Sequence, residues 1–196
     1  MDIKQYIKTA WEGLPNAPTE LAPSYLGKFF QMVKNKQFDR RIKKVEEPFL
    51  RVLQMIPLND FKYFEDKIGP IVIQRIFLDD EDDKAEFLIL GFENCVKNEI
   101  KDEDLIIYYF DLISELRVLD LKRLVSFSGR TDETPIRPEE SSKEELLLHS
   151  SDIKLNRLGL IQVKMGWSSE NGDQINYNFP IELTKRGNKF LDFIGF

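Results

Sequence analysis

The stretch LNRLGLIQVK, Leu155 to Lys164, decides how the C-terminal half of the chain is read. Leu155 and Leu158 recur at helical spacing, Gly159 offers the left-handed conformation that ends a helix, and Leu160 to Gly166 alternates as a strand does. The chain therefore turns from helix to strand at Gly159. Upstream, Glu144 to Leu148 reads as helical. Ser150, Ser151 and Asp152 then offer N-caps for a further helix whose apolar face is Ile153, Leu155 and Leu158. Downstream, Asn171-Gly172 within SSENGDQ is a strong hairpin signal, and INYNFPIEL supplies a returning strand. The expected hairpin joins residues near Leu160–Gly166 to residues near Ile175–Ile181. Thr184 can cap a last helix carrying Phe190, Leu191, Phe193 and Ile194.

Working outward, the 196 residues suffice for one domain with a sizeable core or two small ones. Fifteen Phe supply large surfaces for burial, so the chain is expected to fold. No apolar run reaches the roughly 18 to 20 residues that span a bilayer, and MDIKQYIKTAWEGLP lacks the apolar centre of a secretory signal, so a cytoplasmic location is the expectation. Ile3, Tyr6, Ile7, Ala10 and Trp11 repeat at helical spacing, and Pro18 and Pro23 punctuate the connector that follows. Pro48 suits a first helical turn. Gly69-Pro70 is expected to break or kink the helix that begins near Asn59. Further helices are expected at Asp102 to Leu116 and Leu119 to Phe127. Gly129 to Ser142 reads as a loop.

The formal charge of −6 disfavours broad adhesion to nucleic acid, but the charge is unevenly placed. Lys28, Lys34, Lys36, Arg40, Arg41, Lys43 and Lys44 form a basic stretch containing one acid, Asp39, and are the candidate contact surface for an anionic partner. Asp79 to Asp83 is the acidic counterpart, read as the start of the helix AEFLILGFENCV because negative charge favours a helix N-terminus.

The order of helices, the turn Leu158-Gly159-Leu160-Ile161, the hairpin and the sequence Leu183-Thr184-Lys185-Arg186-Gly187 resemble a winged helix of the multiple-antibiotic-resistance and PadR regulator types. The resemblance covers roughly the last 90 residues. It implies that the helix before Gly159 enters a DNA major groove while the hairpin lies along the backbone. Candidate DNA contacts are Lys154, Arg157 and Lys164. Few cations are available for phosphates, and the hairpin tip carries Glu170 and Asp173, which would repel them. A structural or protein-contact role is the preferred reading of this module.

The segments DDEDDKAEFLILGFENCV, FDLISELRVLDLKRLVSF and the C-terminal LGLI and LTKRG elements resemble the abortive infection alpha family of bacterial proteins. That resemblance implies a part in phage resistance or another response to mobile elements.

Chemistry is sparse. His149 is the single histidine and Cys95 the single cysteine, so a multi-histidine metal site and an internal disulfide are excluded, and Cys95 reads as a buried structural residue. No phosphate loop, nucleophile elbow or zinc-protease motif occurs, and the acidic run lacks the glycine and terminal Glu of an EF-hand. The expectation is a mainly α protein, a helical bundle with a C-terminal winged-helix-like module containing one antiparallel β-hairpin. Residues 1–100 form its helical N-terminal region and 101–196 the winged-helix-like region. It is expected to be a non-enzymatic regulatory or interaction protein without cofactor or metal, with a protein partner. A DNA-binding transcriptional regulator is the alternative. Oligomeric state is left open.

Overall fold

A computed structural model describes residues 40–41, 43–132, 134–136, 143–168 and 172–196. The expected helix at Ile3 to Trp11 and its proline connector lie outside these residues. The described chain is mainly helical, with short antiparallel strand pairs near its C-terminus. It divides into two compact units between Ser114 and Glu115.

Among the described residues the first unit contains helices and no strand. In α1 (residues 40–41 and 43–55), Pro48 lies well inside the helix, not in its first turn. An interior proline costs about 3 kcal/mol. Burial of Val45, Phe49, Val52 and Leu53 on both sides of it, at roughly 1.5–3 kcal/mol each, outweighs that cost. The next helix, α2, has three consecutive parts: Phe61–Tyr63, a π-helical turn at Phe64–Ile68, and Gly69–Leu78. Gly69-Pro70 therefore does not break the path. The Gly69 N–H reaches back to the Phe64 carbonyl, and this wider turn makes room at the point where Pro70 has no N–H to give. Helices α3 (Lys84–Lys97) and α4 (Glu103–Glu115) follow, with the Asp102 carboxylate accepting the Leu105 N–H at 3.1 Å. Phe49 stacks on Phe92 with ring centroids 5.3 Å apart, and Phe64 lies 6.3 Å from the same ring, so α1, α2 and α3 share one aromatic centre. Cys95 is buried beside it on α3, as expected, and burial pushes its thiol pKa up to about 12.

The second unit holds α5 (Val118–Ser126), α6 (Lys143–Arg157), β1 (Ile161–Gln162), β2 (Met165–Ser168), β3 (Gly172–Ile175), β4 (Glu182–Leu183) and α7 (Lys185–Phe193). The expected helix break at Ser150–Asp152 does not occur, and α6 runs through it. The helix ends where Leu155 to Lys164 predicts. Gly159 has φ 67°, and the Leu160 N–H returns to the Leu155 carbonyl at 2.9 Å.

The strand pairing is antiparallel, as expected, but comes as two ladders and not one. Ile161 pairs with Leu183 and Gln162 with Glu182, while Met165 to Ser168 pairs with Ile175 back to Gly172. A turn on the returning strand separates them, closed by the Phe179 N–H on the Asn176 carbonyl at 3.1 Å. Pro180 follows and cannot donate to a ladder.

The motifs around Gly159 and Thr184 form one joint. The Thr184 hydroxyl donates to the Gly159 carbonyl at 2.6 Å and accepts the Gly187 N–H at 3.0 Å, while the Thr184 N–H bonds the Leu160 carbonyl at 3.1 Å. A Cβ at Gly187 would lie 2.0 Å from the Leu160 oxygen, so α7 approaches this closely because residue 187 has no side chain.

Candidate interaction surface

Three described residues of the basic stretch, Arg40, Arg41 and Lys44, meet counter-charge inside the first unit. Arg41 is 3% exposed: its Nε lies 2.7 Å from Asp82, and its Nη1 donates to the Ile76 and Phe77 carbonyls at 3.1 and 2.9 Å. It thus satisfies the last turn of α2, whose carbonyls have no helical partner. Arg40 also pairs with Asp82, at 2.5 Å, and Lys44 pairs with Asp83 at 2.6 Å. Lys43 is exposed, and Lys28, Lys34 and Lys36 lie outside the described residues.

The acidic run precedes α3, which begins at Lys84, as read from the sequence, and its Asp82 and Asp83 also supply the anions for these cations. Asp79 pairs with the buried Lys84 at 2.7 Å, and the Asp83 side chain makes no cap bond to α3. Burial pushes the Asp82 carboxyl upward, but hydrogen bonds from Arg41 and Arg40 outweigh it and hold the group below the ordinary carboxylate range.

In the second unit a buried polar network sets the orientation of α6. Arg123 on α5 forms a bidentate pair with Asp152 on α6, two contacts of 2.8 Å between side chains 4% and 0% exposed. The Arg123 guanidinium also donates to the Ile136 carbonyl and lies 4.6 Å from the centre of the Phe127 ring. Tyr177 donates its hydroxyl proton to Asp152 at 3.0 Å. That proton is its only one, so the 3.2 Å contact between Tyr177 and His149 Nδ1 requires the histidine to carry the hydrogen there. The chain of bonds runs His149 to Tyr177 to Asp152, with Arg123 closing it. Burial, and then the Asp152 charge, push the Tyr177 hydroxyl above its ordinary pKa.

With Ser151, Asp152 and Leu155 turned inward, the opposite side of α6 faces out. Leu146 is 73% exposed, Leu147 54% and Ile153 44%, around the exposed Ser150. Ile153, expected on the inner face, belongs to this outer one. Arg157 continues this face, while the exposed Glu144 at the start of α6 lies in line with Leu148, Ser151 and Leu155. Nothing in the hydropathy of the segment marks Leu146 and Leu147 as outward; the signal lies in the spacing of Leu146, Ser150 and Ile153 once Asp152 is known to be buried.

The three candidate DNA contacts are placed differently from one another. Lys154 bonds Asp120 at 3.0 Å and the Glu115 carbonyl at 2.6 Å. Lys164 lies 4.3 Å from the centre of the Phe179 ring. Arg157 is 3.6 Å from Glu115, both well exposed. Among the described residues no group of three or more metal-ligating side chains gathers, and no helix is long and apolar enough to cross a membrane. No protein family, no curated protein and no solved structure matches the chain.

Proposed function

We propose that this chain is a non-enzymatic interaction protein whose second unit uses the winged-helix arrangement to present α6 to a protein partner, in phage resistance or another response to mobile elements. The biological setting rests on the resemblance to the abortive infection alpha family, and the mode of action on the surface of α6. One observation carries it. The helix that a winged helix would lay in a DNA groove exposes Leu146, Leu147 and Ile153, and aliphatic side chains around a serine suit a protein surface better than phosphates. Lys154 is already bonded within the unit, and Glu144 adds negative charge near the helix start, where DNA contacts of this kind concentrate.

The DNA-regulator reading has its own support, the order of α5, α6, paired strands and α7. The two readings separate in one set of measurements. Phage plating is compared on host cells carrying the wild type, Leu146→Asp/Ile153→Asp or Lys154→Gln/Arg157→Gln/Lys164→Gln, alongside gel shifts across a salt series. Under the proposal the apolar variant loses protection, the triple variant keeps it, and no salt-sensitive DNA complex forms. Retained protection in the apolar variant, or tight DNA binding that falls steeply with salt, would overturn it.

A further inference from the structure

Pro48 gives α1 an irregular flank. Proline carries no N–H, so the Lys44 carbonyl, one turn before it, lacks the donor that a regular helix supplies four residues on. Pro48 lines a groove of about 340 Å³ between α1 and α3, within the roughly 300–1,000 Å³ of small-molecule pockets. The buried Val45, Ala85 and Ile89 form its floor. Lys44 and Asp83, 2.6 Å apart, tie the two helices at one end. Lys44, Pro48 and Arg51 follow at helical spacing along one wall, and Asp83, Glu86, Leu90 and Glu93 along the other, so the walls carry opposite charge. The carboxylates are mostly engaged: Asp82 with Arg40 and Arg41, Asp83 with Lys44, and Glu93 with Lys97 at 2.5 Å. Arg51 and Glu86, both exposed at the groove, have no ion pair among the described residues.

We propose that this groove binds a small aliphatic zwitterion, with an amine at one end and an acid at the other. The ammonium donates to the Glu86 carboxylate and to the Lys44 carbonyl, the methylenes cover Pro48, Ile89 and Leu90, and the acid meets Arg51. The order of the groups along the groove favours that ligand. Glu86 stands one turn past Asp83, toward the tied end where the carbonyl lies, whereas Arg51 is two turns past Lys44, about 10 Å along α1. An acid alone would share the groove with four carboxylates and leave the Lys44 carbonyl unmatched. An uncharged ligand would displace water from Glu86 and Arg51 and return no hydrogen bond of equal strength. The groove belongs to the first unit, and its occupancy does not depend on α6.

Titration of the full chain with ε-aminocaproate, hexylamine and hexanoate, followed by amide NMR shifts, tests this, because the three probes share a carbon chain length and differ in charge. ε-Aminocaproate should move the amides of α1 and α3 around the groove, with the millimolar affinity of a ligand this small. Hexylamine and hexanoate should each bind about threefold to fivefold more weakly, the size of one exposed ion pair. Arg51→Gln should remove the advantage of ε-aminocaproate over hexylamine, and Glu86→Gln its advantage over hexanoate. Both replace exposed side chains, so the spectra should otherwise match the wild type. Pro48→Ala returns an N–H to the Lys44 carbonyl and should weaken hexylamine more than hexanoate. Groove amides that none of the probes moves overturn the proposal. So does an ε-aminocaproate affinity no higher than that of the singly charged probes, or one indifferent to both Arg51→Gln and Glu86→Gln.

Discussion

Removing Arg123 isolates the contribution of the buried network to the second unit. Arg123→Met keeps much of the side-chain length and apolar stem but leaves Asp152, 0% exposed, facing a neutral group. Breaking a buried pair from one side costs about 3–5 kcal/mol, because the remaining charge keeps only the Tyr177 hydroxyl and no counter-charge. Loss of the bond to the Ile136 carbonyl and of the contact with Phe127 adds to this. Whole domains are stable by only about 5–15 kcal/mol, so the variant should be near the edge of folding. Replacing the network as a set, Arg123→Met/Asp152→Leu/Tyr177→Phe, removes the buried charge pair together with the hydroxyl bonded to it and should recover most of the loss. Urea unfolding followed by circular dichroism, with hydrogen exchange read at the amides of α5 and α6, measures both. A single variant that loses less than about 1 kcal/mol would refute the reasoning, as would a triple variant no better than the single.

Asp82 gives a pH dependence of known sign. Its folded pKa is lowered, so its contribution is present above the ordinary value of 3.8 and is lost as pH falls below it, the unfolded chain taking up the proton first. Asp82→Asn should lower stability at neutral pH by about 1.5–3 kcal/mol, the range for hydrogen bonds to charged groups, and flatten the acid limb; urea midpoints from pH 7 to pH 2.5 or so would show it. Gly187→Ala should be far worse than a surface helix alanine, because its Cβ would meet backbone at 2.0 Å and not a movable side chain. Overpacking of that kind costs about 1–3 kcal/mol or more, and a melting temperature equal to wild type would show that α7 can shift away.

The parts of this fold legible in the sequence are those governed by neighbours in the chain. Gly159 ends α6 because a left-handed residue is needed there, and Thr184 caps α7 through an amide three residues away. The antiparallel pairing of β2 with β3 agrees with the hairpin signal of Asn171-Gly172 in the sequence. What the sequence conceals depends on partners far along the chain. Pro48 looks like a helix start until the burial on both sides of it is known. The acids at 79–83 do precede a helix, as read, but the sequence does not show that Arg41, 41 positions from Asp82, lies against them. For Arg40, Arg41 and Lys44 the same holds: a count of charges cannot show that they are already paired.

The candidate surface was hidden by a closer contest. Wound as a helix, Leu146 to Leu155 offers two comparable stripes, Leu146 with Ser150 and Ile153, and Leu148 with Asp152 and Leu155. Each has two aliphatic side chains and one polar one. Hydropathy alone would bury the stripe with the serine, since a carboxylate is far costlier to bury than a hydroxyl. The structure does the reverse, because Arg123 and Tyr177 supply Asp152 with donors that Ser150 does not need. The network therefore acts on the surface indirectly. By making it favourable to bury an aspartate, it turns two leucines and an isoleucine toward solvent, where a second protein surface can cover them.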